Sequence, residues 1–310
     1  MENGLYRPLG SRLLRDPRDR RISELEECDK ASLVGVPWDW STGGDPGARH
    51  APSLIIRSIL SLPPHAPGGS SIPCKPRVLG EVAVAGGDWE RTASRIRRVT
   101  SELLGSQRFT LFVGGDHSIT GPILEALLEE GHVGLLMLDA HYDLRSVDEG
   151  VTSGSWLWRV AQKTAMAGAP QLSVAIVGVA DYANPGYLAE RAERLGFRVI
   201  PASMLWEGPG PALEAVDWLA EAGADRYYIT IDMDHIAEAY APGVNSPSPL
   251  GVQPWVTARI LDYAARKLAP RGADIVEVVP LKDRGGATVR LAALLGARLI
   301  GGVLGVAGEG

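Results

Sequence analysis

The sequence predicts an α/β fold built on a mostly parallel β-sheet. Eight apolar segments rich in β-branched residues are typical of strands, and segments with helical spacing of apolar side chains lie between them. Strands that alternate with helices indicate βαβ units, in which successive strands run parallel. The continuous apolar runs 135–138 and 174–177 suit strands buried on both faces. We therefore expect a sheet covered by helices on both sides.

Each predicted strand precedes a predicted helix along the chain. In chain order, the strand and helix pairs are 31–37 with 52–61, 77–83 with 88–105, 109–115 with 119–130, 133–139 with 155–167, 173–180 with 186–195, 197–202 with 211–222, 226–233 with 254–268, and 273–280 with 286–305. Residues 1–30 are charged and irregular, which predicts an N-terminal arm. No internal repeat or low-complexity linker interrupts the series, so we expect one domain over residues 1–310.

Composition and charge argue against several classes of protein. The 310 residues carry a net charge of −6 and a pI near 5.6, whereas nucleic-acid-binding surfaces are usually basic. The polar, arginine-rich N-terminus lacks the apolar segment of a secretory signal. The most apolar tract, 291–306, is broken by glycines and an arginine and predicts a buried helix rather than a membrane span. We therefore expect a cytoplasmic enzyme with neither nucleic-acid nor membrane partners.

Two further features concern the cysteines and the long loops. Cys28 and Cys74 form no CxxC pair, and the chain lacks the cysteine density of a disulfide scaffold, so we expect two free thiols. The segments 63–76 and 240–254 are rich in proline and read as long loops. Loops of that length in a compact domain are usually functional or disordered.

Polar clusters follow three of the predicted strands. His117 comes after the strand 109–115, and the segment 139–143 places Asp139, His141 and Asp143 two residues apart after the strand 133–139. Asp232 and Asp234 come at the end of the strand 226–233. In a strand, side chains two residues apart point to the same side. Because ligands bind at the carboxyl ends of strands in open parallel sheets, the three clusters predict one shared site.

These residue types are suited to binding metal ions. Burying unpaired carboxylates and imidazoles costs several kcal/mol, and a divalent cation would compensate them together. Four carboxylates and two imidazoles are too many ligands for one tetrahedral zinc but have the right count for two ions. Oxygen-rich sites favour Mn²⁺ or Mg²⁺, and the imidazoles favour Mn²⁺. His235 lies beside the cluster in sequence and is a candidate to contact the ligands without binding metal itself. Asp116 is expected to accept hydrogen bonds from backbone amides.

At these residues the chain resembles the ureohydrolase superfamily, which comprises arginases, agmatinases and formimidoylglutamases. The matching segments are 35–39, 46–52, 114–118, 139–143, 232–234, 241–243 and 274–280. The resemblance implies a three-layer α/β/α fold with an eight-stranded parallel sheet, in agreement with the strand count above. It also implies trimers or hexamers.

The resemblance further implies a binuclear manganese site with named ligands. By matched position, His117, Asp139, Asp143 and Asp232 would hold one Mn²⁺, and Asp139, His141, Asp232 and Asp234 would hold the other. Asp139 and Asp232 would then bridge the ions. Other divalent metals remain open, since one oxygen and nitrogen site accepts several. Glu277 matches the family residue that holds the guanidinium or amidinium head of the substrate, because a carboxylate accepts paired hydrogen bonds from such a cation.

The neighbours of the 139–143 segment resemble formimidoylglutamases more than arginases. Arginases and agmatinases carry a His-Gly pair where this chain has Ser153-Gly154, and formimidoylglutamases carry Ser-Gly there. Formimidoylglutamases also favour the Asp-Leu-Arg found at 143–145, in which Arg145 could bind a substrate carboxylate through paired hydrogen bonds. One departure is that Trp156 and Trp158 follow the Ser-Gly pair, where we expect them to narrow the pocket.

Three functions stay open at this point. The first is hydrolysis of N-formimidoyl-L-glutamate to glutamate and formamide, with Asp143 orienting the attacking water, Glu277 and Arg145 binding the substrate, and Ser153 near the leaving amine. The second is the release of urea from agmatine, guanidinobutyrate, arginine or another guanidino compound. The third is a non-catalytic metal-binding or assembly protein, against which the intact set of six ligand positions argues.

Overall fold

Eight parallel strands form one sheet in the computed structural model, which describes residues 19–68, 70–104, 108–166 and 172–306. The strands are β1 (Glu27–Val36), β2 (Lys75–Glu81), β3 (Phe109–Gly114), β4 (Val133–Leu138), β5 (Leu172–Val179), β6 (Arg198–Pro201), β7 (Arg226–Asp232) and β8 (Gly272–Val276). Their order across the sheet is β2-β1-β3-β8-β7-β4-β5-β6, and every neighbouring pair is parallel.

Helices connect the strands and cover both faces of the sheet. They are α1 (Ala51–Ser61), α2 (Trp89–Leu104), α3 (Thr120–Leu128), α4 (Trp156–Met166), α5 (Gly186–Arg194), α6 (Gly210–Glu221), α7 (Pro254–Leu268) and α8 (Ala287–Val306). Side chains alternate along the strands: Leu33 and Leu111 pack in one core with α1, α6, α7 and α8, and Val34 and Phe112 pack in the other with α2 to α5. The three-layer α/β/α fold is thereby confirmed.

The predicted element boundaries need two corrections. The first strand begins at Glu27 rather than at residue 31, and Ile22 is fully buried, so residues 22–30 are part of the folded structure rather than of an arm. Residues 1–18 of the predicted arm lie outside the described residues. The last strand ends at Val276 rather than at residue 280, which leaves Glu277 in the segment after the strand.

The apolar C-terminal tract forms a core helix. By length and composition, Ala287–Gly305 within α8 could cross a membrane, but 67% of that segment is buried inside the protein. Gly296 packs against Leu111 of β3 and Ile59 of α1, close enough that a side chain there would crowd both. The helix therefore packs on the sheet as the glycine-interrupted pattern predicts.

Cys28 and Cys74 form a disulfide, which corrects the expectation of two free thiols. Cys28 lies in β1 and Cys74 directly precedes β2, and the parallel pairing of these strands brings the two Cα atoms to 5.8 Å. The sequence gives no signal for this contact, because the cysteines are 46 residues apart and belong to no recognised spacing.

Removing this disulfide is expected to lower the free energy of unfolding. Closing a 46-residue loop restricts the unfolded chain by about 4 kcal/mol in the chain-entropy account. Denaturant unfolding of the double variant Cys28→Ser/Cys74→Ser should show that loss, and the wild-type protein in strong reductant should match the variant. Two reactive thiols per chain in the native, unreduced protein would contradict the assignment.

Candidate active site

Four neighbouring strands at the centre of the sheet end at one edge and carry the polar clusters. The segments after β3, β8, β7 and β4 lie side by side there. The structure brings together the six predicted ligands and Glu277, namely His117, Asp139, His141, Asp143, Asp232, Asp234 and Glu277. All of these except the fully buried Asp139 line a cavity of about 260 Å³. The edge of the sheet therefore forms one polar site.

Tight turns after the strands direct these side chains. Asp139 Oδ1 accepts a hydrogen bond from the His141 amide at 2.6 Å, and Asp232 Oδ1 accepts one from the Asp234 amide at 2.9 Å. Asp143 and Glu277 have positive φ angles of 52° and 64°. Residues other than glycine rarely adopt that conformation, which costs on the order of 1–3 kcal/mol and is found mostly at functional sites. The turns thus hold the carboxylates in place at some cost in stability.

The short distances define two adjacent groups of candidate ligand atoms, which we call the first and second centres. In the first centre, His117 Nδ1 lies 2.9 Å from Asp139 Oδ2 and 3.1 Å from both Asp143 Oδ2 and Asp232 Oδ2. In the second centre, His141 Nδ1 lies 3.4 Å from Asp139 Oδ1 and 3.0 Å from Asp234 Oδ2. Asp139 contributes one oxygen to each centre, which is the arrangement of a bridging carboxylate.

The buried polar atoms of the first centre fit a cation. Within the described residues, His117 Nδ1 and Asp139 Oδ2 are buried and lie 2.9 Å apart without hydrogen-bond geometry, and neither has another hydrogen-bond partner. Leaving such atoms uncompensated is costly, and nearly all buried polar atoms in proteins are paired. The donor set consists of carboxylate oxygens and imidazole nitrogens, which suits Mn²⁺ and similar divalent ions. The site therefore has the chemistry to hold two metal ions.

Burial and mutual repulsion perturb the pKa values of these groups. Burial, together with the negative charge of Asp139, raises the pKa of Asp143 to about 6. Burial likewise raises the pKa of Asp232 well above its usual range, with Asp234 and Asp139 adding to the effect. The charge of Asp234 is the main reason that the pKa of His141 rises to about 12. The groups of the cluster therefore strongly perturb one another's ionisation.

Glu277 is a buried carboxyl group that lines the same cavity. Its Oε1 accepts a hydrogen bond from the His117 amide at 2.8 Å. Burial raises the pKa of Glu277 to about 8, and the negative charge of Asp116 contributes. A cationic ligand head in the cavity would favour the ionised form.

A buried network behind His117 fixes the orientation of its ring. His117 Nε2 lies 2.8 Å from Thr230 Oγ1, which donates to Asp274 Oδ1 at 2.5 Å. Thr120 and Tyr228 also donate to Asp274. These contacts leave Nδ1 facing the carboxylates. The sequence analysis did not assign Asp274 a role, although a lone acid inside an apolar strand was a signal for one.

His235 and Asp116 support the turns around the site. The ring of His235 contacts the backbone oxygen of Asp232 and Thr257 Oγ1, and so lies behind the cluster rather than within it. Asp116 accepts hydrogen bonds from the amides of Ser41 and Ser118, as expected.

The rim of the cavity contains Arg145 and Ser153. Arg145 is exposed, and its amide donates to Gly154 O at 3.0 Å. Ser153 Oγ accepts a hydrogen bond from the Gly43 amide at 3.3 Å. Sequence reasoning missed the loop residues that complete the rim, which are Thr42, Gly43, Gly44, Asn245 and Ser246. They are glycines and small polar residues in loops, which carry no pattern of their own.

The expectation that Trp156 and Trp158 narrow the pocket is wrong. Neither lines the cavity. Trp156 is fully buried behind Asp143, and Trp158 is half-buried and stacks against the Arg191 guanidinium. Both residues lie in the first turn of α4.

Metal binding at this site is expected to release protons. Contacts with Asp139, Asp143 and Asp232 outweigh the effect of burial and raise the pKa of His117, and that of His141 is also raised. Both imidazoles are therefore protonated at neutral pH in the metal-free protein, whereas a metal needs the neutral ring. Affinity should accordingly fall as the pH falls. Calorimetric titration with Mn²⁺ in buffers of different ionisation enthalpy measures the protons released, and binding without proton release would contradict this account.

Comparisons with known proteins give one consistent family. The model of the arginase family matches residues 29–301. The formimidoylglutamase of Geobacillus thermodenitrificans is 32% identical over 282 residues, covering 88% of this chain and 83% of that protein. The mitochondrial agmatinase of Gallus gallus is 32% identical over 306 residues, covering 95% and 85%.

Solved structures have the same fold. The formimidoylglutamase from Bacillus subtilis superposes with a TM-score of 0.85 at 23% identity, covering 96% of each chain. The Trypanosoma cruzi formiminoglutamase, crystallised with Mn²⁺, superposes with a TM-score of 0.81 at 18% identity, covering 92% of this chain and 98% of that one.

Proposed function

The chain belongs to the arginase family, and we propose that it is a two-metal amidinohydrolase that converts N-formimidoyl-L-glutamate and water to L-glutamate and formamide. The observation that carries the proposal is the cavity itself. It places a buried carboxylate, Glu277, beside the two candidate metal centres and a cationic side chain, Arg145, at the rim. An amidinium at one end and a carboxylate at the other are the features of this substrate that would match those charges.

We propose two Mn²⁺ ions as the cofactor. His117, Asp139, Asp143 and Asp232 would hold one ion, and Asp139, His141, Asp232 and Asp234 the other. The contacts described above support the four residues of the first set, and Asp139, His141 and Asp234 of the second, while the place of Asp232 in the second set rests on the family resemblance. The presence of Mn²⁺ in a structural relative supports the choice of metal. When bound, such a pair of ions makes water nucleophilic at neutral pH and stabilises developing negative charge.

The protein's own residues would position the substrate and the attacking water. Ionised Glu277 would accept hydrogen bonds from the amidinium, as expected for a carboxylate paired with a planar cation. Asp143 would accept a hydrogen bond from the attacking water and orient it toward the amidine carbon. Ser153 is at the position of the histidine that arginases carry, and its hydroxyl would pass a proton to the leaving amine through water.

Arg145 is proposed to bind the glutamate carboxylate. Among the described residues it forms no ion pair, so its guanidinium is available to an anionic substrate. Replacing Arg145 by alanine should raise KM for formimidoylglutamate about tenfold or more, because charge-assisted paired hydrogen bonds contribute roughly 1.5–3 kcal/mol. Steady-state kinetics of Arg145→Ala measures this, and Arg57→Ala, which removes a surface arginine of α1, serves as the control. An unchanged KM in Arg145→Ala would show that Arg145 does not bind the substrate.

A second candidate function is the release of urea from a guanidino compound. The observation that favours it is the agmatinase relative, whose identity equals that of the formimidoylglutamase relative. A basic residue on the rim works against agmatine, which has no carboxylate, and leaves acidic guanidino compounds such as guanidinobutyrate.

A product assay distinguishes the two functions. Mn²⁺-loaded protein would be given formimidoylglutamate, guanidinobutyrate, arginine or agmatine, with formamide and urea detected separately. Formamide and glutamate from the first substrate are expected. Release of urea from guanidinobutyrate, arginine or agmatine, without turnover of formimidoylglutamate, would contradict the proposed substrate and support the second candidate function.

We also propose that the enzyme is cytoplasmic and forms trimers or hexamers. The mass of the oligomer in solution tests the assembly. The Cys28–Cys74 disulfide bears on the location, because disulfides are rare in reducing cytosol outside hyperthermophiles. The redox state of these two cysteines in the source cells therefore tests the assigned compartment. A disulfide that is intact there would argue for an oxidising compartment and against the cytoplasm.

A further inference from the structure

Trp156 makes a direct polar contact with the candidate metal site. It is the first residue of α4 and is fully buried. Its indole Nε1 donates a hydrogen bond to Asp143 Oδ2 at 2.6 Å. Its ring also lies 5.0 Å from the ring of His117, centroid to centroid. The polar edge of this tryptophan thus faces the cluster, although the side chain does not line the cavity.

The hydrogen bond selects one oxygen of Asp143. Oδ2 is the oxygen that lies 3.1 Å from His117 Nδ1, in the first centre, and it is also the oxygen that the indole contacts. Both side-chain contacts of Asp143 with described residues therefore use Oδ2. Oδ1 is left for a group in the cavity that Asp143 lines.

The first turn of α4 also holds the main chain of Asp143. Asp143 O accepts a hydrogen bond from the Trp158 amide at 3.2 Å. The φ angle of Asp143, 52°, lies in the left-handed region that residues other than glycine rarely adopt. Side chain and main chain of Asp143 are thus held by the same helical turn.

We propose that Trp156 is a positioning residue that orients Asp143 through its indole N–H. The hydrogen bond holds Oδ2 toward the first centre and leaves Oδ1 toward the attacking water. The inference rests on the proposed two-metal function. Partners that hydrogen-bond to metal-binding carboxylates typically change metal affinity or activity by about 10- to 100-fold when they are removed.

A variant that removes the N–H tests the proposal. Trp156→Phe keeps an aromatic ring, and Trp218→Phe in α6, on the opposite face of the sheet, controls for the loss of tryptophan volume. Calorimetry should show one Mn²⁺ bound about 10- to 100-fold more weakly by Trp156→Phe, with Trp218→Phe like wild type. In turnover, kcat should fall while KM changes little, because Glu277 and Arg145 are untouched. Unchanged Mn²⁺ affinity in a folded Trp156→Phe protein would overturn the proposal.

An isostere separates hydrogen bonding from packing and covers the case in which Trp156→Phe does not fold. Benzothienylalanine at position 156 keeps the shape of the side chain and has sulfur in place of the N–H. The proposal predicts that this protein folds and binds one Mn²⁺ about 10- to 100-fold more weakly than wild type. Wild-type affinity in the isostere would show that Trp156 acts by packing and would overturn this inference alone. Failure of the wild-type protein itself to bind Mn²⁺ would overturn the two-metal function on which it rests.

Discussion

Replacing Asp232 by alanine is expected to abolish hydrolysis and to weaken Mn²⁺ binding at both centres. Oδ2 of Asp232 is 3.1 Å from His117 Nδ1 in the first centre. Oδ1 of Asp232 accepts a hydrogen bond from the amide of Asp234, a residue of the second centre. One side chain therefore supports both centres. Loss of a direct ligand should exceed the roughly 100-fold effect of losing an outer partner.

A matched control keeps this prediction specific. Asp217→Ala removes a half-exposed acid of α6 that pairs with Lys267, far from the strand ends, and should leave metal binding and turnover unchanged. Calorimetry and product assays on both variants give the comparison. Hydrolysis that persists in Asp232→Ala would place the active site elsewhere.

Replacing Glu277 by glutamine is expected to lower kcat/KM by about 100-fold or more while metal binding is retained. The substitution keeps a side-chain oxygen that can accept from the His117 amide, so the local turn should hold. It removes the negative charge that would pair with the amidinium, and a charged hydrogen-bonded pair in a buried site is worth several kcal/mol when one partner is lost. Wild-type kcat/KM in Glu277→Gln would exclude this residue from substrate binding.

The pH profile provides a second readout for Glu277. Its pKa is raised to about 8 in the metal-free protein, mainly by burial, and only the ionised form would bind the amidinium. Nearby cations would lower the pKa of Glu277. The profile of kcat/KM should therefore have an acidic limb, along which kcat/KM rises with pH, and its midpoint should lie at or below about pH 8. The Glu277→Gln variant should lack this limb. A limb that persists in the variant would belong to another group.

The convergence of the candidate ligands was predictable from the sequence, although one of the reasons given for it was incomplete. The spacing of Asp139, His141 and Asp143 suggested a strand on which alternate side chains share a side. In the structure β4 ends at Leu138, and a turn with a positive φ at Asp143 produces the convergence. The placement at neighbouring strand ends was correct because the carboxyl ends of parallel strands meet at one edge.

Contacts between residues far apart in sequence could not be predicted in the same way. The His117 amide and Glu277 are 160 residues apart, and Thr230 joins Asp274 across two strands. The sequence placed Trp156 directly after the Ser-Gly pair, and we expected it to narrow the pocket for that reason. Its position in the sequence does not specify the direction in which the helix points its ring. Such contacts depend on strand order and helix rotation, which local patterns do not specify.

The location of bound metal tests the two-metal site most directly. Crystals grown with Mn²⁺ would be measured at a wavelength where manganese scatters anomalously. We expect two peaks roughly 3.5–4 Å apart, one among His117, Asp139, Asp143 and Asp232 and the other among Asp139, His141, Asp232 and Asp234. A single peak, or peaks away from these residues, would contradict the two-metal site and the mechanism that depends on it.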